Sequence, residues 1–400
     1  MSEKLYRAWA ETKAEAGVDV AAVRSKLGDL VLETPSWGYG NSGTRFKVFP
    51  HPGVPRNPNE KLEDAAQVHK LTGICPRIAL HIPWDKVDDW AALKRRAGEL
   101  GLTLGAVNPN LFQDEAYKLG SVTHHDPAVR RKAVRHLLEC VEIGRIIGSD
   151  LQSIWLADGT NYPGQADMRR RRAWMEESLG EAYRAMPKGM KMLIEYKFFE
   201  PAWYHTDLPD WGTAASVCRN LGEQAQVLVD TGHHPQGTNI PHVVANLIYE
   251  GRLGGFHFND RKYADDDLIA GSVNPYELFL IFCELISADA IGRTAFMIDQ
   301  SFCIESKLEG MLRTVVNIHQ AYAKALLVDW AALGRAQEAG DILGAEAVLR
   351  AAYDEDVRPL LADWRRARNL PEDPVAAFRR SDYQTRINRD RVGAGAGWSA

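Results

Sequence analysis

The stretch Val227-Leu228-Val229-Asp230-Thr231-Gly232-His233-His234 joins a short apolar run to a segment rich in carboxylate and imidazole groups. Uninterrupted apolar residues are typical of a strand that is buried on both faces, as strands are in a parallel sheet. The run finishes at Asp230, so this carboxylate marks the carboxyl end of the strand. The stretch therefore predicts a buried parallel strand with polar side chains at its end.

Eight runs of this kind follow one another along the chain, with longer stretches of helical character between them. In 127–147, for example, apolar residues recur at i, i+3, i+4 and i+7, which is one face of a helix. The eight runs are 30–32, 78–82, 102–104, 151–155, 192–194, 227–229, 255–258 and 295–298. Eight β/α units in sequence predict an α/β fold of the (β/α)8 TIM barrel type, and a doubly wound parallel sheet is the alternative.

The barrel is expected to occupy residues 28–330 of the 400-residue chain. Residues 1–27 predict an N-terminal helical lead-in, because charged and Ala-rich positions mix there. Residues 331–400 predict a C-terminal helical extension, which ends from Arg386 in an Arg- and Gly-rich tail. We expect this tail to be mobile or to contact a neighbouring subunit.

Composition excludes several classes of protein. The formal net charge is −5, which argues against a general nucleic-acid binder. No apolar run approaches the roughly 18 residues that span a bilayer, and the start of the chain shows no signal-peptide core. The five cysteines are scattered without a C-x-x-C pair, which disfavours a disulfide framework or a Cys-based zinc site. These features predict a cytoplasmic protein with neither a nucleic-acid nor a membrane partner.

One motif in the chain resembles a nucleotide-binding signature. Residues 38–43 match G-x-G-x-x-G after an apolar run. A dinucleotide site needs a helix to open at once, so that its N-terminus meets the pyrophosphate. Four prolines follow instead, at positions 50, 52, 55 and 58. The motif therefore predicts a loop above the first strand.

Polar side chains end the last four predicted strands. They are Glu195, Asp230, His257 and Asp299. In a barrel these strand ends lie side by side on the rim that carries active sites. Carboxylates a few Å apart cannot all stay ionised, and a divalent cation resolves this conflict. Because oxygen ligands dominate, the set suits Mn²⁺, Mg²⁺ or Co²⁺ better than a structural zinc.

A second group of possible ligands lies close by in the sequence. His233 follows Asp230 by three residues, and Asp265 and Asp267 lie in the loop after the seventh strand. With Asp230 bridging, these residues predict a second cation, and two cations about 3.5–4 Å apart can polarise adjacent oxygens of one substrate. Taken singly, each residue could be a loop cap or a solvated acid. Polar residues at four successive strand ends favour the metal site.

Other strand ends offer catalytic and binding candidates. His81 ends the second strand, and Asp85 could hold one nitrogen of its ring while the other acts as acid or base. Lys197 lies on the same side of an extended chain as Glu195 and could polarise a carbonyl oxygen. Trp37 and Trp155 could supply aromatic walls for a sugar. As alternatives, His81 could be a histidine in a strand-end turn and Lys197 a surface lysine. The two tryptophans could equally pack the mouth of the barrel.

At this point the sequence resembles a known family. The segments that carry the resemblance are 194–197 (Ile-Glu-Tyr-Lys), 229–234 (Val-Asp-Thr-Gly-His-His), 255–260 (Gly-Phe-His-Phe-Asn-Asp), 265–267 (Asp-Asp-Asp) and 297–300 (Met-Ile-Asp-Gln). In this order and spacing they are similar to L-rhamnose isomerase, and more broadly to the xylose-isomerase-like TIM barrels. The resemblance covers about residues 30–330.

The resemblance implies two divalent metal ions per subunit, most often Mn²⁺, with Co²⁺ or Mg²⁺ as alternatives. The structural metal would be held by Glu195, Asp230, His257 and Asp299. The catalytic metal would be held by Asp230, His233, Asp265 and Asp267. The tail and the segment Ser301-Phe302-Cys303 depart from the family pattern, and the latter could alter sugar preference.

The resemblance also assigns roles around the substrate. Lys197 would lie near O1, and His81, oriented by Asp85, would help to open the sugar ring. Trp37 and Trp155 would line the site. Phe46 would be inserted by a neighbouring subunit, which implies a homo-oligomer, expected to be a tetramer.

These expectations describe an aldose–ketose isomerase that converts L-rhamnose and L-rhamnulose, with hydrogen passing between C2 and C1 and Asp299 beside the proton transfer between O2 and O1. A sugar epimerase on the same barrel is the nearest alternative and would need one metal and two carboxylate bases. A metal-dependent phosphodiesterase or endonuclease would need a basic groove, which the charge does not favour. A non-enzymatic metal-stabilised protein would turn over no sugar.

Overall fold

The computed structural model describes residues 3–43, 47–200 and 203–393 of the chain. Within these residues, eight parallel strands close into a barrel, in the order β1-β10-β9-β8-β6-β4-β3-β2. The strands are β1 (Leu32–Pro35), β2 (Arg77–Ile82), β3 (Thr103–Pro109), β4 (Leu151–Trp155), β5 (Gly159–Thr160), β6 (Lys191–Glu195), β7 (His205–Thr206), β8 (Ala225–Asp230), β9 (Leu253–Phe258) and β10 (Ala295–Ile298). All eight predicted runs supply a barrel strand, so the predicted (β/α)8 fold is confirmed. The first strand lies two residues later than its apolar run.

Helices follow the barrel strands and cover the outside of the barrel. Among the described residues they are α1 (Glu3–Glu15), α2 (Val20–Lys26), α3 (Pro58–Thr72), α4 (Trp90–Glu99), α5 (Pro127–Ile147), α6 (Met168–Ala185), α7 (Trp211–Leu221), α8 (Ile240–Tyr249), α9 (Pro275–Ser287), α10 (Lys307–Ala325), α11 (Trp330–Ala339), α12 (Ile342–Tyr353), α13 (Arg358–Arg366), α14 (Pro374–Arg380) and α15 (Tyr383–Asp390). Short 3₁₀ turns lie at Ser36–Tyr39, Glu115–Tyr117 and Ile291–Arg293.

Helix α5 shows how local sequence sets an element's limits. It begins at Pro127, whose missing N–H costs nothing in the first turn, and the carboxylate of Asp126 accepts the backbone N–H of Ala128 at 2.7 Å. It ends before Gly148, whose φ of 79° is easily reached only without a side chain. Cap and proline together fix where the helix packs against β3 and β4.

The inside of the barrel is filled below the rim by a small apolar cluster. Its members are Trp37, Ala79, Ala106, Leu151, Leu193, Leu228 and Met297. Leu193, Leu228 and Met297 each lie two residues before a carboxylate of the predicted metal site. Since side chains alternate along a strand, the carboxylates point to the same side as these apolar residues, above the cluster. The apolar layer therefore forms the floor of the site.

The segment after the glycine-rich motif is a loop, as predicted. A 3₁₀ turn occupies Ser36–Tyr39, and the next helix, α3, does not begin until Pro58. No helix N-terminus therefore faces the motif within the described part of this segment.

The C-terminal segment differs from the expected mobile tail. Residues from Tyr383 to Asp390 form α15, and Arg391 is buried. The Arg391 guanidinium lies 2.9 Å from both carboxylate oxygens of Asp64 on α3, and the Tyr383 hydroxyl donates to the same carboxylate at 2.7 Å. Burial of this ion pair holds the segment on the barrel. Residues 394–400 lie outside the described residues.

Helix length and polarity bear on the expectation about membranes. Across the described ranges, every helix is too short or too polar to cross a bilayer.

Candidate metal centre and active site

The four strand-end residues meet at one point. Glu195 ends β6, Asp230 ends β8, His257 lies on β9 and Asp299 follows β10. One ligand atom from each lies within 4.8 Å of the others. The parallel register brings them together, because β8 pairs Asp230 with His257 and β10 pairs Met297 with His257. The sequence prediction that these four residues converge is met by the geometry.

Electrostatics at this point favour a cation. Burial raises the pKa of the Asp230 carboxyl to about 7, and the charges of Glu195, Asp265 and Asp299 add to the rise, while His233 opposes it. Burial lowers the pKa of His257, but the charge and hydrogen bond of Glu195 and the charges of Asp299 and Asp230 together outweigh burial and raise this pKa to about 9. The His257 Nδ1 atom lies 3.2 Å from Glu195 Oε1 and 3.5 Å from Asp299 Oδ2. The protonated imidazole thus offsets charge that a divalent cation would offset better, so the donor set fits such an ion.

A second group shares Asp230 with the first. Ligand atoms of Asp230, His233 and Asp265 also lie within 4.8 Å of one another. His233 Nδ1 lies 3.1 Å from the carbonyl oxygen of Tyr196 and 3.2 Å from Glu195 Oε1, so this nitrogen carries the proton and donates. The Nε2 atom then faces Asp265 Oδ2 at 3.5 Å. A backbone partner of this kind fixes the tautomer of metal-binding histidines.

Asp267 was expected in the second group, and its place there stays a prediction. The three-residue group found among the described residues omits Asp267, whose backbone has a φ of 48°. Burial raises the pKa of Asp267 well above its usual value, and the charges of Asp265, Asp299 and Asp230 raise it further. Asp267 therefore lies among the acids of the site.

Lys197 points into the same space. Its Nζ donates to Asp265 Oδ2 at 2.8 Å and to Glu200 Oε2 at 2.6 Å, and it lies 5.3 Å from the centre of the Trp155 ring. Burial alone would lower the pKa of Lys197, but the charges of Asp265 and Glu200 raise it above its ordinary value. The site therefore contains a fixed ammonium group beside the second group of ligands. Glu200 was not among the residues predicted from the sequence.

The expected link between Asp85 and the ring of His81 is replaced by another arrangement. The Asp85 carboxylate accepts the backbone N–H of His81 at 2.7 Å, the Lys61 ammonium at 2.5 Å and the Ser36 hydroxyl. Of the described atoms, none is a hydrogen-bond partner for His81 Nδ1, which is buried. Asp85 therefore fixes the strand end that carries His81 and does not hold its imidazole.

The His81 ring is neutral under ordinary conditions. Burial lowers the pKa of His81 well below its usual value, and the charges of Lys61, His136 and His257 act in the same direction. The ring stacks on Trp84 with 3.8 Å between centroids and meets the edge of Trp37 at 5.5 Å. A neutral imidazole is available to accept a proton.

Aromatic rings line the mouth beside His81. Trp155 packs against Phe112 with 4.9 Å between ring centroids, and Phe112 lies 5.8 Å from His81. Trp37 also donates from its indole nitrogen to Asp299 Oδ1 at 2.7 Å, so it orients a candidate ligand. Trp37 and Trp155 were predicted from the sequence, whereas Trp84 and Phe112 were not. Their signal was position, since each lies two or three residues after a barrel strand.

Two further features singled out in the sequence are Phe46 and the segment that follows Asp299. Phe46, expected to come from a neighbouring subunit, lies outside the described residues. In the segment after Asp299, the thiol of Cys303 contacts the carbonyl oxygen of Gly43 at 3.3 Å. This contact ties the segment to the loop that leads to Phe46.

Together these residues make a site with two adjacent groups of ligands, a shared carboxylate, an ammonium group and a neutral imidazole. Such a site can bind neighbouring oxygens of one small polar molecule and stabilise charge that develops on them. The aromatic rings can pack against its apolar faces.

Comparison with known proteins gives relatives along nearly the whole chain. The chain is 43% identical to a probable sugar isomerase of Rhizobium meliloti (strain 1021), over 98% of this chain and 93% of that protein. It is 42% identical to a probable sugar isomerase of Mesorhizobium japonicum, over 97% of this chain and 92% of that protein. It is 27% identical to a xylose isomerase of Thermus thermophilus, over 59% of this chain and 66% of that enzyme.

Solved structures agree in fold. D-psicose 3-epimerase with D-tagatose from Clostridium cellulolyticum H10 superposes with a TM-score of 0.52 at 12% identity, covering 74% of this chain and 99% of the epimerase. At this identity the likeness shows the barrel alone. A family model described as xylose isomerase-like TIM barrel matches residues 62–278. The chain belongs to the xylose isomerase-like TIM barrel family.

Proposed function

We propose that this protein is a metal-dependent aldose–ketose isomerase that interconverts L-rhamnose and L-rhamnulose and accepts other aldoses and ketoses. The observation that supports this most is the pair of ligand groups that share Asp230 and lie beside Lys197. Adjacent oxygens at C1 and C2 are what an aldose and its ketose have in common. The sugar isomerases among the relatives support the reaction class.

Two divalent cations fit the site, Mn²⁺ best and Co²⁺ or Mg²⁺ as alternatives. Glu195, Asp230, His257 and Asp299 would hold the first, while Asp230, His233 and Asp265 would hold the second, with Asp267 nearby. When bound, the cations act as Lewis acids that polarise neighbouring substrate oxygens. Oxygen-dominated ligands with one imidazole in each group suit these metals.

The side chains of the chain itself would guide the hydrogen transfer. Lys197 donates to O1 and stabilises negative charge there, since Glu200 and Asp265 keep its ammonium protonated. Asp299 lies beside the proton transfer between O2 and O1, and the indole N–H of Trp37, which donates to Oδ1, orients its carboxylate there. During ring opening, His81, neutral and stacked on Trp84, takes the proton of the anomeric O1–H as the carbonyl forms and returns it to O5 as the C1–O5 bond breaks. Asp85 keeps the backbone of His81 in place.

The aromatic rings support a sugar with an apolar end. Trp37, Trp84, Phe112 and Trp155 lie around His81 and could contact the C6 methyl group of a 6-deoxy sugar. The choice of L-rhamnose rests on this feature and on the resemblance of the sequence segments that carry the ligands.

A panel of sugars tests the proposal. Aldoses and ketoses, L-rhamnose among them, are incubated with the protein and Mn²⁺ or Co²⁺, before and after EDTA treatment, and the products are separated. We expect L-rhamnose to give L-rhamnulose and the reaction to stop on chelation. Conversion of a ketose to its C3 epimer, with one metal per chain, would favour the epimerase instead. The absence of any turnover would reject both enzymes.

We also propose a homotetramer in the cytoplasm, in which Phe46 of a neighbouring subunit reaches the site. Light scattering after size-exclusion chromatography tests the subunit number, and a monomer with full activity would reject this part of the proposal. Replacement of Phe46 by Ala is expected to raise KM more than it lowers kcat, because the residue would contact the substrate.

A further inference from the structure

The carboxylate of Asp230, which both ligand groups share, needs a fixed orientation. Asp230 belongs to both ligand groups, so its carboxylate would serve two cations at once while the side chain is fully buried. A carboxylate that is free to rotate about its last bond would serve one group at the expense of the other. Something must therefore hold its plane.

Asn259 occupies the position that can do this. Its side-chain Nδ2 donates to Asp230 Oδ1 at 3.0 Å and to Oδ2 at 3.1 Å. The backbone N–H of Gly232 adds a third hydrogen bond, to Oδ1 at 2.7 Å. An amide that spans both oxygens from one side fixes the carboxylate plane and leaves the remaining lone pairs for cations.

Asn259 is itself held in place. Its backbone N–H lies 3.0 Å from Thr231 Oγ1, and that hydroxyl donates to the Asn259 carbonyl oxygen at 2.7 Å. The Asn259 side-chain oxygen is buried and lacks a hydrogen-bond partner among the described residues. It lies 2.5 Å from where a Cβ on Gly232 would stand, so only glycine leaves it room. A flipped amide would set its oxygen against a carboxylate, which excludes the alternative orientation.

We infer that Asn259 is a positioning residue that orients Asp230 and thereby sets the affinity of the second cation. The inference deepens the proposed function, since it rests on the two-cation site. The second group has three ligands and the first has four, so disorder of Asp230 removes a larger share of the second group. Loss of the amide should therefore weaken the second cation more than the first.

Manganese titration of the metal-free full-length protein tests the inference. Wild type, Asn259→Leu and Asn259→Ala are stripped with EDTA, dialysed and titrated with Mn²⁺ in a calorimeter. Gln224→Leu is the control, because Gln224 Nε2 donates to the Met190 carbonyl oxygen at 2.6 Å, just before β6 and β8 begin and so at the opposite ends of these strands from the ligands. We expect wild type and the control to bind two Mn²⁺ per chain. In both Asn259 variants the second site should weaken about 10- to 100-fold, and the first site less.

The outcomes separate this inference from the proposed function. Unchanged binding at both sites, or equal weakening at both, would overturn the role of Asn259 even if all proteins isomerise sugar. Selective weakening of the second site without any sugar turnover would retain that role and reject the isomerase. Thermal melting of the metal-free proteins checks folding, and Asn259→Ala provides the reading if the bulkier leucine variant does not fold.

Discussion

The Lys197 ammonium lies between two carboxylates with different tasks. Asp265 is a candidate metal ligand, and Glu200 belongs to neither ligand group found among the described residues. When a cation takes up the charge of Asp265, Glu200 remains to keep the ammonium protonated and in place. The lysine can therefore act on the substrate whether or not Asp265 is bound to metal.

Replacement of Lys197 by Met should reduce turnover without removing the metals. Loss of a charged donor at a developing negative oxygen costs about 100- to 1000-fold in kcat. Mn²⁺ affinity should stay or rise, because Asp265 loses a competing partner. Steady-state kinetics at saturating Mn²⁺, with calorimetry, measure both. Lys86→Met is the control, since Lys86 is exposed and pairs with Glu139 at the surface. Unaltered kcat in the Lys197 variant would contradict this role.

Lys307 is a buried charge outside the catalytic site. It begins α10 and is 7% exposed, and its Nζ has no hydrogen-bond partner in the described parts of the chain. Burial lowers the pKa of Lys307 from 10.5 to about 8, while Cys303 and Glu305 oppose this. The folded state binds fewer protons than the unfolded state between these two values. Stability should therefore rise as the pH increases from about 8 to about 10.5.

Replacement of Lys307 by Met should stabilise the protein at neutral pH. The difference between 10.5 and about 8 corresponds to at most about 3 kcal/mol, which is the cost of keeping this ammonium charged. Thermal melting at pH 7 and at pH 10 should show a higher Tm for the variant at pH 7 and a smaller gap at pH 10. Lys86→Met again serves as the control. An equal gap at both pH values would show that packing, and not charge, causes the change.

Asp85 shows what the sequence could not predict at the residue scale. Its place four residues after His81 suggested a contact with the imidazole. The carboxylate is instead taken by Lys61 and Ser36, which come from α3 and from the turn after β1. Such contacts depend on how distant elements pack, whereas the meeting of Glu195, Asp230, His257 and Asp299 could be predicted because each lies at or beside the end of its own strand.

Strands were the elements that the sequence revealed best. A barrel strand is covered on both faces, so its sequence is a continuous apolar run. Such a run can be recognised without knowing which strands lie beside it. Strand β1 was placed two residues early because it includes Glu33 and Thr34, which are polar but buried. The pair β5 and β7 was missed because each strand has two residues and only pairs with the other.

Strand β3 contains a glycine that is needed for close packing. A Cβ on Gly105 would overlap the carboxylate of Glu33 on β1. That carboxylate cannot move freely, since it accepts the backbone N–H of Ala106 at 2.8 Å and pairs with Arg77 at 3.0 Å. Because Gly105 has no side chain, the barrel has room for the ion pair between Glu33 and Arg77.

Gly105→Ala should destabilise the protein by about 1–3 kcal/mol, the usual cost of overpacking. Gly98→Ala on α4 is the control, because the space around that Cβ is open to 4 Å in the described structure. Alanine there should stabilise the helix by up to about 1 kcal/mol. Denaturant unfolding of both variants measures the two free energies. Similar values for the two variants would contradict the steric argument.

At the scale of the whole molecule, the C-terminal segment connects distant parts of the chain. Arg391 pairs with Asp64 on α3, and Lys61 on the same helix pairs with Asp85 below His81. The end of the chain thereby stabilises the helix that supports one side of the site. Its composition gave no sign of this, because an Arg- and Gly-rich end is read as a tail.

Replacement of Arg391 by Met should destabilise the protein strongly. It leaves the buried carboxylate of Asp64 without its cation, and breaking a buried pair costs about 3–5 kcal/mol. Arg389→Met is the control, because Arg389 is exposed and pairs with its neighbour Asp390. Melting curves should separate the two variants by several degrees, and proteolysis should cleave the C-terminal helix of the Arg391 variant first. Matching melting curves would show that the ion pair between Arg391 and Asp64 contributes nothing to stability.

The whole site, taken together, favours one route for the hydrogen. An enediol route needs a free base beside C2. Around the mouth, the described carboxylates belong to the ligand groups, pair with Lys197 or, like Asp267, lie among other acids, and Lys197 is held protonated. The neutral imidazole of His81 is assigned to ring opening and not to C2. A direct hydride shift from C2 to C1 needs no such base, only polarised oxygens and a nearby ammonium. L-Rhamnose deuterated at C2, turned over in ordinary water, should therefore give L-rhamnulose that keeps its deuterium at C1. Undeuterated L-rhamnose turned over in D₂O is the converse control and should take up none. Extensive washout in the first experiment, with uptake in the second, would reject the hydride shift and show that a base, with His81 as the candidate, removes the hydrogen from C2.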